Sequence, residues 1–295
     1  MRLSAVQMNA GPDKAANIAE AARLIDAAIA SDRPALVGLP EIWTCIGGDR
    51  ANRLAQAETL PPPGSNQPAG PAYEFLRATA RRHRIHLHGG SLIEAGEGER
   101  LFNTTLVFNP AGEEIARYRK IHLFDTRTPD GQSFGESRSF GAGDRLVSYT
   151  ANGIRIGCAI CYDLRFPELF LALRRAGAEL ILLPSAFTQT TGMDHWEPLL
   201  RARAIETQCW IAAPALCGRH LEGSRGAPRA SYGHTLIADP WGHVVALASD
   251  GPGWATARID SALTARVRRD MPVLDHHVLD HHVLDHHLLD IGAGA

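Results

Sequence analysis

Long apolar runs are missing from this 295-residue chain. None approaches the roughly 18 consecutive apolar residues that cross a bilayer, which argues against a membrane protein. An excess of one charge is missing too. Lys and Arg number 30 against 32 Asp and Glu, a formal charge of −2. Without a basic surplus, nucleic acid is not an expected partner. Cysteine is sparse and odd in number, five residues in all. A disulfide scaffold needs dense, paired cysteines, so a reducing cytoplasm is the expected compartment. Residues 1–8 are too few and too mixed for a secretory signal. What remains is an ordinary globular composition, 45 % apolar and 21 % charged, with chain enough for a large core. At about 150 residues per domain, one or two domains fit.

The first forty residues read as one βαβ unit. Leu3–Met8 is a short apolar run. Ala15–Ala30 carries Ile18, Ala22, Leu24, Ile25 and Ile29 at helical spacings behind a candidate cap, Asp13. Ala35–Pro40 reads as a buried strand, with Glu41 at its C-terminal end. In open α/β sheets ligands bind outside such strand ends. Leu60–Pro71 holds five prolines and two glycines and reads as a surface loop. The pattern then predicts a helix over Tyr73–Arg84 and strands over Leu87–Ile93, Leu101–Phe108 and Glu114–His122. Phe124–Gly143 is polar and glycine-rich, as a long functional loop would be.

Ile154–Cys161 is apolar on both alternating faces apart from Arg155, as a central strand is. Pro167 suits the start of the next helix and Gly177 its end. Leu180–Leu183 completes a second βαβ unit. Glu197–Gln208 reads as a helix. Strands are expected over Cys209–Leu216, His234–Ala238, His243–Leu247 and Trp254–Ile259, with Trp241 packed in a turn. βα units mixed with hairpins predict one α/β domain with mixed sheets. The tail differs. Val273-Leu274-Asp275-His276-His277 recurs at 278–282 and 283–287. A period of five matches neither helix nor strand, so 273–295 is expected to be a low-complexity extension beyond a domain over 1–272, with metal capture by its histidines the rival reading.

Cys161 is the candidate nucleophile. It ends a buried strand and precedes Tyr162-Asp163-Leu164-Arg165-Phe166-Pro167-Glu168, a sharp strand-to-helix passage. There a thiol is exposed at a sheet edge, the following backbone N–H can face an oxyanion, and the helix start favours thiolate. A buried structural cysteine is the blander alternative. Cys158 and Cys161 also have C-x-x-C spacing, so a redox pair competes, whereas a zinc site lacks a second such pair.

Gly157–Glu168 resembles the nucleophile segment of the nitrilase, or carbon–nitrogen hydrolase, superfamily. Pro40-Glu41 and Arg119-Lys120-Ile121-His122-Leu123-Phe124-Asp125 resemble two further segments of that family, in the same order. The resemblance runs from Leu3 to about Val273. Pro184–Thr188, His195-Trp196-Glu197, Leu199–Gln208, Ala230–His234 and Asp239–Gly242 narrow it to the branch acting on deaminated glutathione, with the ω-amidases of α-ketoglutaramate as the neighbouring alternative. Nitrile hydrolysis and a non-catalytic interaction protein are remoter readings.

The resemblance implies a four-layer α-β-β-α sandwich with mixed sheets and a cysteine amidase without metal or organic cofactor. Its substrate would be a small-molecule amide, and the helix at 197–208 would build a homodimer or a higher homo-oligomer. Cys161 would attack the carbonyl. Glu41 would move the protons, and Lys120 with the Tyr162 N–H would hold the oxyanion. Glu136 would orient Lys120 or the substrate. Arg165, Phe187 and Thr191 match positions of substrate contact, Arg165 as a carboxylate clamp. His122 and His195 are read as structural.

Overall fold

The computed structural model describes residues 1–65, 67–220 and 229–277. The chain opens with β1 (Arg2–Gln7), α1 (Lys14–Asp32) and β2 (Leu36–Gly38), followed by α2 (Arg50–Gln56) and α3 (Pro71–His83). Then come β3 (His86–His88), β4 (Leu92–Ala95), β5 (Leu101–Phe108), β6 (Glu114–Arg119), β7 (Asp125–Arg127), β8 (Ser133–Gly135) and β9 (Phe140–Gly141). The second half contains β10 (Ser148–Ala151), β11 (Ile154–Cys158), α4 (Pro167–Arg175), β12 (Leu180–Leu182), α5 (Gln189–Thr207) and β13 (Trp210–Ala213). It continues with β14 (Cys217–His220), β15 (Arg229–Tyr232), β16 (Leu236–Ala238), β17 (Val244–Leu247), β18 (Gly253–Arg258) and α6 (Ser261–Asp270).

Two mixed sheets form the centre. One runs β18-β1-β2-β3-β5-β4, with β6 and β9 also paired to β5; the other runs β10-β11-β12-β13-β16-β17. In each, three neighbouring strands are parallel: β1, β2 and β3 in the first, β11, β12 and β13 in the second. Alternation along the strands sorts the side chains into layers. Leu3, Leu36, Val107 and Tyr118 point between the sheets and pack with Ile156, Leu180 and Leu182. Their neighbours Val37, Leu106 and Phe108 point outward, under Leu24 and Ile25 of α1 and Tyr73 and Leu76 of α3. On the far side, a side chain at Gly157 would meet Leu173 of α4, so the outward face of β11 lies against that helix. The result is the expected α-β-β-α sandwich.

Local chemistry sets the boundaries. Asp13 caps α1, accepting from the Ala15 and Ala16 N–H groups. The strand expected over Leu87–Ile93 is two strands, because Gly89-Gly90 break it. Gly90 has φ +62, and a Cβ there would stand 2.0 Å from the Pro40 carbonyl oxygen, so only glycine lets these backbones approach. α5 starts at Gln189 rather than Glu197 and continues through Pro198. Its low-contrast first half, with Gly192 among polar residues, gives no helical stripe to read. Trp241 is not packed; it is 49 % exposed, and its backbone N–H donates to Asp239 Oδ1 in the turn. After α6 the chain turns over 273–276, and the repeats from Val278 onward lie outside the described residues. Among the described residues no helix is long and apolar enough to cross a membrane.

His88, on β3, is fully buried, with Nδ1 3.1 Å from the Tyr149 hydroxyl. Burial pushes its pKa down to about 3, so the folded protein keeps it neutral where the unfolded chain protonates it below about 6.5. Its stabilising contribution is complete above that value and is lost as pH falls towards 3, at about 1.4 kcal/mol per pH unit. His88→Asn should flatten the loss of Tm between pH 6.5 and 4. An unchanged slope would place the acid sensitivity elsewhere.

Candidate active site

The site forms where chain segments leave the C-terminal ends of parallel strands in both sheets. Glu41 follows β2, Cys161 follows β11, and Ala186-Phe187 follow β12. Lys120 is the residue after β6, its N–H donating to the Asn103 carbonyl at 2.9 Å. Strand-end placement fixes the backbones, and buried hydrogen bonds then fix the side chains.

Glu41 is 3 % exposed. Its Oε1 accepts from Lys120 Nζ and from Asn103 Nδ2, both at 2.9 Å, and its Oε2 accepts from the Ala186 N–H at 2.8 Å. That last bond joins the two sheets. Lys120, also buried, donates to Glu136 Oε2 at 2.9 Å and approaches its Oε1 at 3.2 Å. Glu136 is held in turn by the Phe124 N–H at 2.7 Å. One ammonium therefore sits between two carboxylates, and Asn103 touches both.

Cys161 opens a short 3-10 turn, Cys161–Arg165, with φ +44, and Ile42 beside Glu41 has φ +38. Left-handed backbone at two non-glycine residues, one of them β-branched, is strain that the surroundings must hold. Asp163 does much of the holding. Fully buried, it accepts from the Ile160 N–H at 2.8 Å and the Tyr118 hydroxyl at 2.7 Å. Its other oxygen accepts from the His122 N–H at 3.1 Å and lies 2.7 Å from His122 Nδ1. The lysine segment and the cysteine turn are thus tied to one carboxylate. His122 also stacks on Phe166 with centroids 3.7 Å apart, consistent with a structural part.

The electrostatics correct one expectation. The helix start is expected to favour thiolate. Burial instead pushes the Cys161 thiol well up, the Glu41 charge pushes it further, and Lys120 only partly opposes them. For Glu41, burial pushes upward, but the charge and hydrogen bond of Lys120, the Cys161 contact and the Arg229 charge outweigh it and hold the carboxyl below its ordinary value. Lys120 is desolvated, yet Glu136 and Glu41 hold it well above the usual lysine value. The resting arrangement is a neutral thiol beside an ionised carboxylate and a fixed ammonium.

A cleft of about 420 Å³ opens over these groups, within the usual range for small-molecule sites. Glu41, Lys120, Glu136, Cys161, Tyr162, Phe187 and Thr191 all line it; Arg165 does not. The Arg165 guanidinium lies 5.2 Å from the Phe187 ring centroid and 3.4 Å from His195 Nδ1, so it backs Phe187 instead of reaching the cleft. The polar run Phe124–Gly143 is not a featureless loop. It folds into the β7–β8 hairpin, which brings Phe134 to the cleft, and the following turn presents Glu136. Arg53, Asn103 and Arg229 also line the cleft and were not singled out in the sequence. Asn103 had a signal, a lone amide in the apolar run Leu101–Phe108. The arginines had none, being ordinary charges in polar surroundings.

Cys158 does not share the site. It is fully buried, and burial pushes its thiol far up. All five cysteines are free. Among the described residues, no group of three or more His, Cys, Asp or Glu side chains is placed to hold a metal ion.

A sandwich of this kind, with its cleft at the strand ends between the two sheets, defines a hydrolase of nitrilase-superfamily type. The chain belongs to the carbon–nitrogen hydrolase family, whose sequence model matches residues 2–269. It is 42 % identical to the deaminated glutathione amidase of Homo sapiens, over 92 % of this chain and 80 % of that protein. Identity to the deaminated glutathione amidase of Synechocystis is 39 %, over 92 % of this chain and 96 % of the relative. Among solved structures, the Caenorhabditis elegans NitFhit protein matches with a TM-score of 0.82 at 34 % identity, over 94 % of this chain and 65 % of that longer one. Saccharomyces cerevisiae Nit3, a member of branch 10 of the nitrilase superfamily, matches with a TM-score of 0.81 at 30 % identity, over 92 % and 94 % of the two chains.

Proposed function

We propose that the protein hydrolyses a linear amide through a thioester on Cys161, and that its substrate is deaminated glutathione, cleaved to 2-oxoglutarate and cysteinylglycine. The observation that carries the chemistry is the Lys120 ammonium 2.9 Å from both the Glu41 and Glu136 carboxylates beneath the Cys161 cleft. The substrate rests on the relatives bearing that activity in their names.

An amide needs a strong nucleophile, a stabilised oxyanion and a protonated leaving group. Glu41 takes the thiol proton as Cys161 sulfur bonds to the carbonyl carbon. Lys120 and the Tyr162 N–H face the oxyanion that forms. The C–N bond then breaks, and Glu41 passes its proton to the departing amine. Water enters, Glu41 takes a proton from it, and the resulting hydroxide attacks the thioester. Collapse expels the sulfur, which recovers the proton from Glu41. A carboxylate held low and a thiol held high suit this cycle, because the proton moves only when the sulfur commits to the carbonyl. Phe187 and Thr191 wall the acyl chain, and Arg165 supports Phe187 from behind.

Glu136 positions Lys120. Glu136→Gln should lower kcat by about 10- to 100-fold, the worth of one charge-assisted hydrogen bond. It should also move the alkaline limb of the pH profile downward, since Lys120 loses one of the charges holding its pKa high. A loss of kcat with an unmoved alkaline limb would mean that Glu136 serves the substrate and not the lysine.

The proposed substrate is tested by comparing deaminated glutathione with α-ketoglutaramate, with products identified by mass. Higher kcat/KM on deaminated glutathione is expected. A preference for α-ketoglutaramate would make the protein an ω-amidase with the same cysteine chemistry.

A further inference from the structure

Asn103 stands inside the charge cluster, and the chemistry above gives it no part. It lies on β5 and is 1 % exposed. Its carbonyl accepts the Lys120 N–H at 2.9 Å. Its Nδ2 donates to Glu41 Oε1 at 2.9 Å and lies 3.3 Å from Glu136 Oε1. Lys120 Nζ reaches the same two oxygens, at 2.9 Å and 3.2 Å. Two carboxylate oxygens and two nitrogens thus alternate around a ring. The amide fits one way round only, since turning it over would set its carbonyl against both carboxylates. That orientation has a cost. Among the described residues nothing donates to the buried Oδ1, and an acceptor left bare in the interior is unfavourable. The cost is offset by what the amide N–H groups do for the carboxylates.

An ionised carboxylate oxygen offers two lone-pair sites. On Glu41 Oε1 both are taken, one by Lys120 and one by Asn103. On Oε2 one is taken, by the Ala186 N–H at 2.8 Å. That same N–H borders the Cys161 thiol. We propose that Asn103 is a positioning residue which, with Lys120, fills Glu41 Oε1, so that Oε2 alone carries the proton between the Cys161 sulfur, the leaving nitrogen and water. The inference rests on the amidase reading above and assigns the path of the proton within it. In acylation the S–H bond breaks as sulfur bonds to the carbonyl carbon, and the proton occupies the free site on Oε2. It leaves from that site for the amine nitrogen as the C–N bond breaks. Without Asn103, Oε1 has an open site and competes for the proton. The charged and titratable groups facing Glu41 are Lys120, Cys161 and Arg229, with Glu136 on the other side of Lys120. Removing the amide leaves all four in place and deletes one hydrogen bond to the ionised carboxyl, which raises its pKa.

Two rates followed across the acid range read Glu41 separately. One is kcat/KM on deaminated glutathione. The other is alkylation of Cys161 by iodoacetamide, measured by mass, in which sulfur displaces iodide and the thiol proton passes to Glu41 with no amide substrate present. In Asn103→Ala the acid limb of both rates should move up by about one pH unit, the worth of one hydrogen bond to a charged group. The kcat should fall about 10-fold with KM little changed. Asn103→Asp, which keeps the shape of the parent side chain, carries the test if the alanine variant folds poorly. It sets a third carboxylate against Glu41 and should move both limbs at least as far. Acid limbs that stay in place would overturn the proposal and leave Asn103 a packing residue. A raised KM with kcat and both limbs unmoved would also overturn it, and make Asn103 a substrate contact. A parent enzyme without amide turnover, whose alkylation limb still moves in the variants, would sink the amidase reading and leave the role of Asn103 standing. Turnover by the parent with both limbs unmoved in the variants would do the reverse.

Discussion

Cys161→Ala is expected to lower amide turnover by about 10⁴-fold or more, the usual cost of removing a covalent nucleophile. The fold should survive. Alanine keeps the Cβ that cysteine already places at φ +44, so no new backbone strain arises. Only one sulfur atom is lost, from a position still 8 % exposed. Thermal unfolding of the variant should therefore stay close to that of the parent. Cys158→Ala is the paired control. That thiol is fully buried in β11 behind the site, and its loss should spare the chemistry. A redox C-x-x-C pair would lose activity with either cysteine. Full activity in the Cys161 variant would remove the covalent route altogether.

Glu41→Gln is expected to slow both acylation and deacylation, by about 10²- to 10⁴-fold, the typical worth of a positioned general base. The two side chains have the same shape, but the hydrogen bonds do not carry over. One carboxylate oxygen receives Lys120 and Asn103 and the other receives the Ala186 N–H. Whichever way the amide is turned, its NH₂ meets a donor. The pH profile checks the same assignment. Glu41 must be ionised to accept the thiol proton, and Lys120 holds its pKa below the ordinary value despite burial. The acid limb of kcat/KM should thus lie below the usual glutamate range, with activity level between pH 5 and 7. The stabilising contribution of the ionised carboxylate follows the same sign, being complete above its unfolded pKa and lost as pH falls through the lower folded one. An acid limb near pH 6.5 would point to a histidine as the base.

Much of this was legible in the residues. The βαβ units are visible because buried parallel strands such as Leu36–Gly38 and Leu180–Leu182 are continuous apolar runs. Glu41, Lys120 and Cys161 are prominent because each sits directly after such a strand or matches a family segment. Tertiary context hid the rest. Nothing local says that Gly89-Gly90 must pass against the Pro40 carbonyl. The β14–β15 hairpin is short and polar, and its partner strands are separated by 221–228. Arg165 looked well placed four residues after Cys161, but the 3-10 turn carries it behind Phe187. Arg53 and Arg229 reach the cleft from segments far apart in sequence, and only folding brings them together. The direction of the Cys161 pKa was missed for a related reason. Burial and the neighbouring Glu41 are properties of the assembled site, whereas the helix start is a local one.

The most direct measurement is the mass of the enzyme quenched in acid during turnover of a slow amide substrate. The fragment Ile156–Arg165, bounded by cleavage after Arg155 and Arg165, contains both cysteines of the C-x-x-C pair. Fragmentation within it separates Cys158 from Cys161. The account predicts that this fragment gains the mass of the substrate's acyl group, located on Cys161 and released by hydroxylamine as a thioester would be. Steady turnover with the acyl group on Cys158, or with no acyl group on either cysteine, would contradict it.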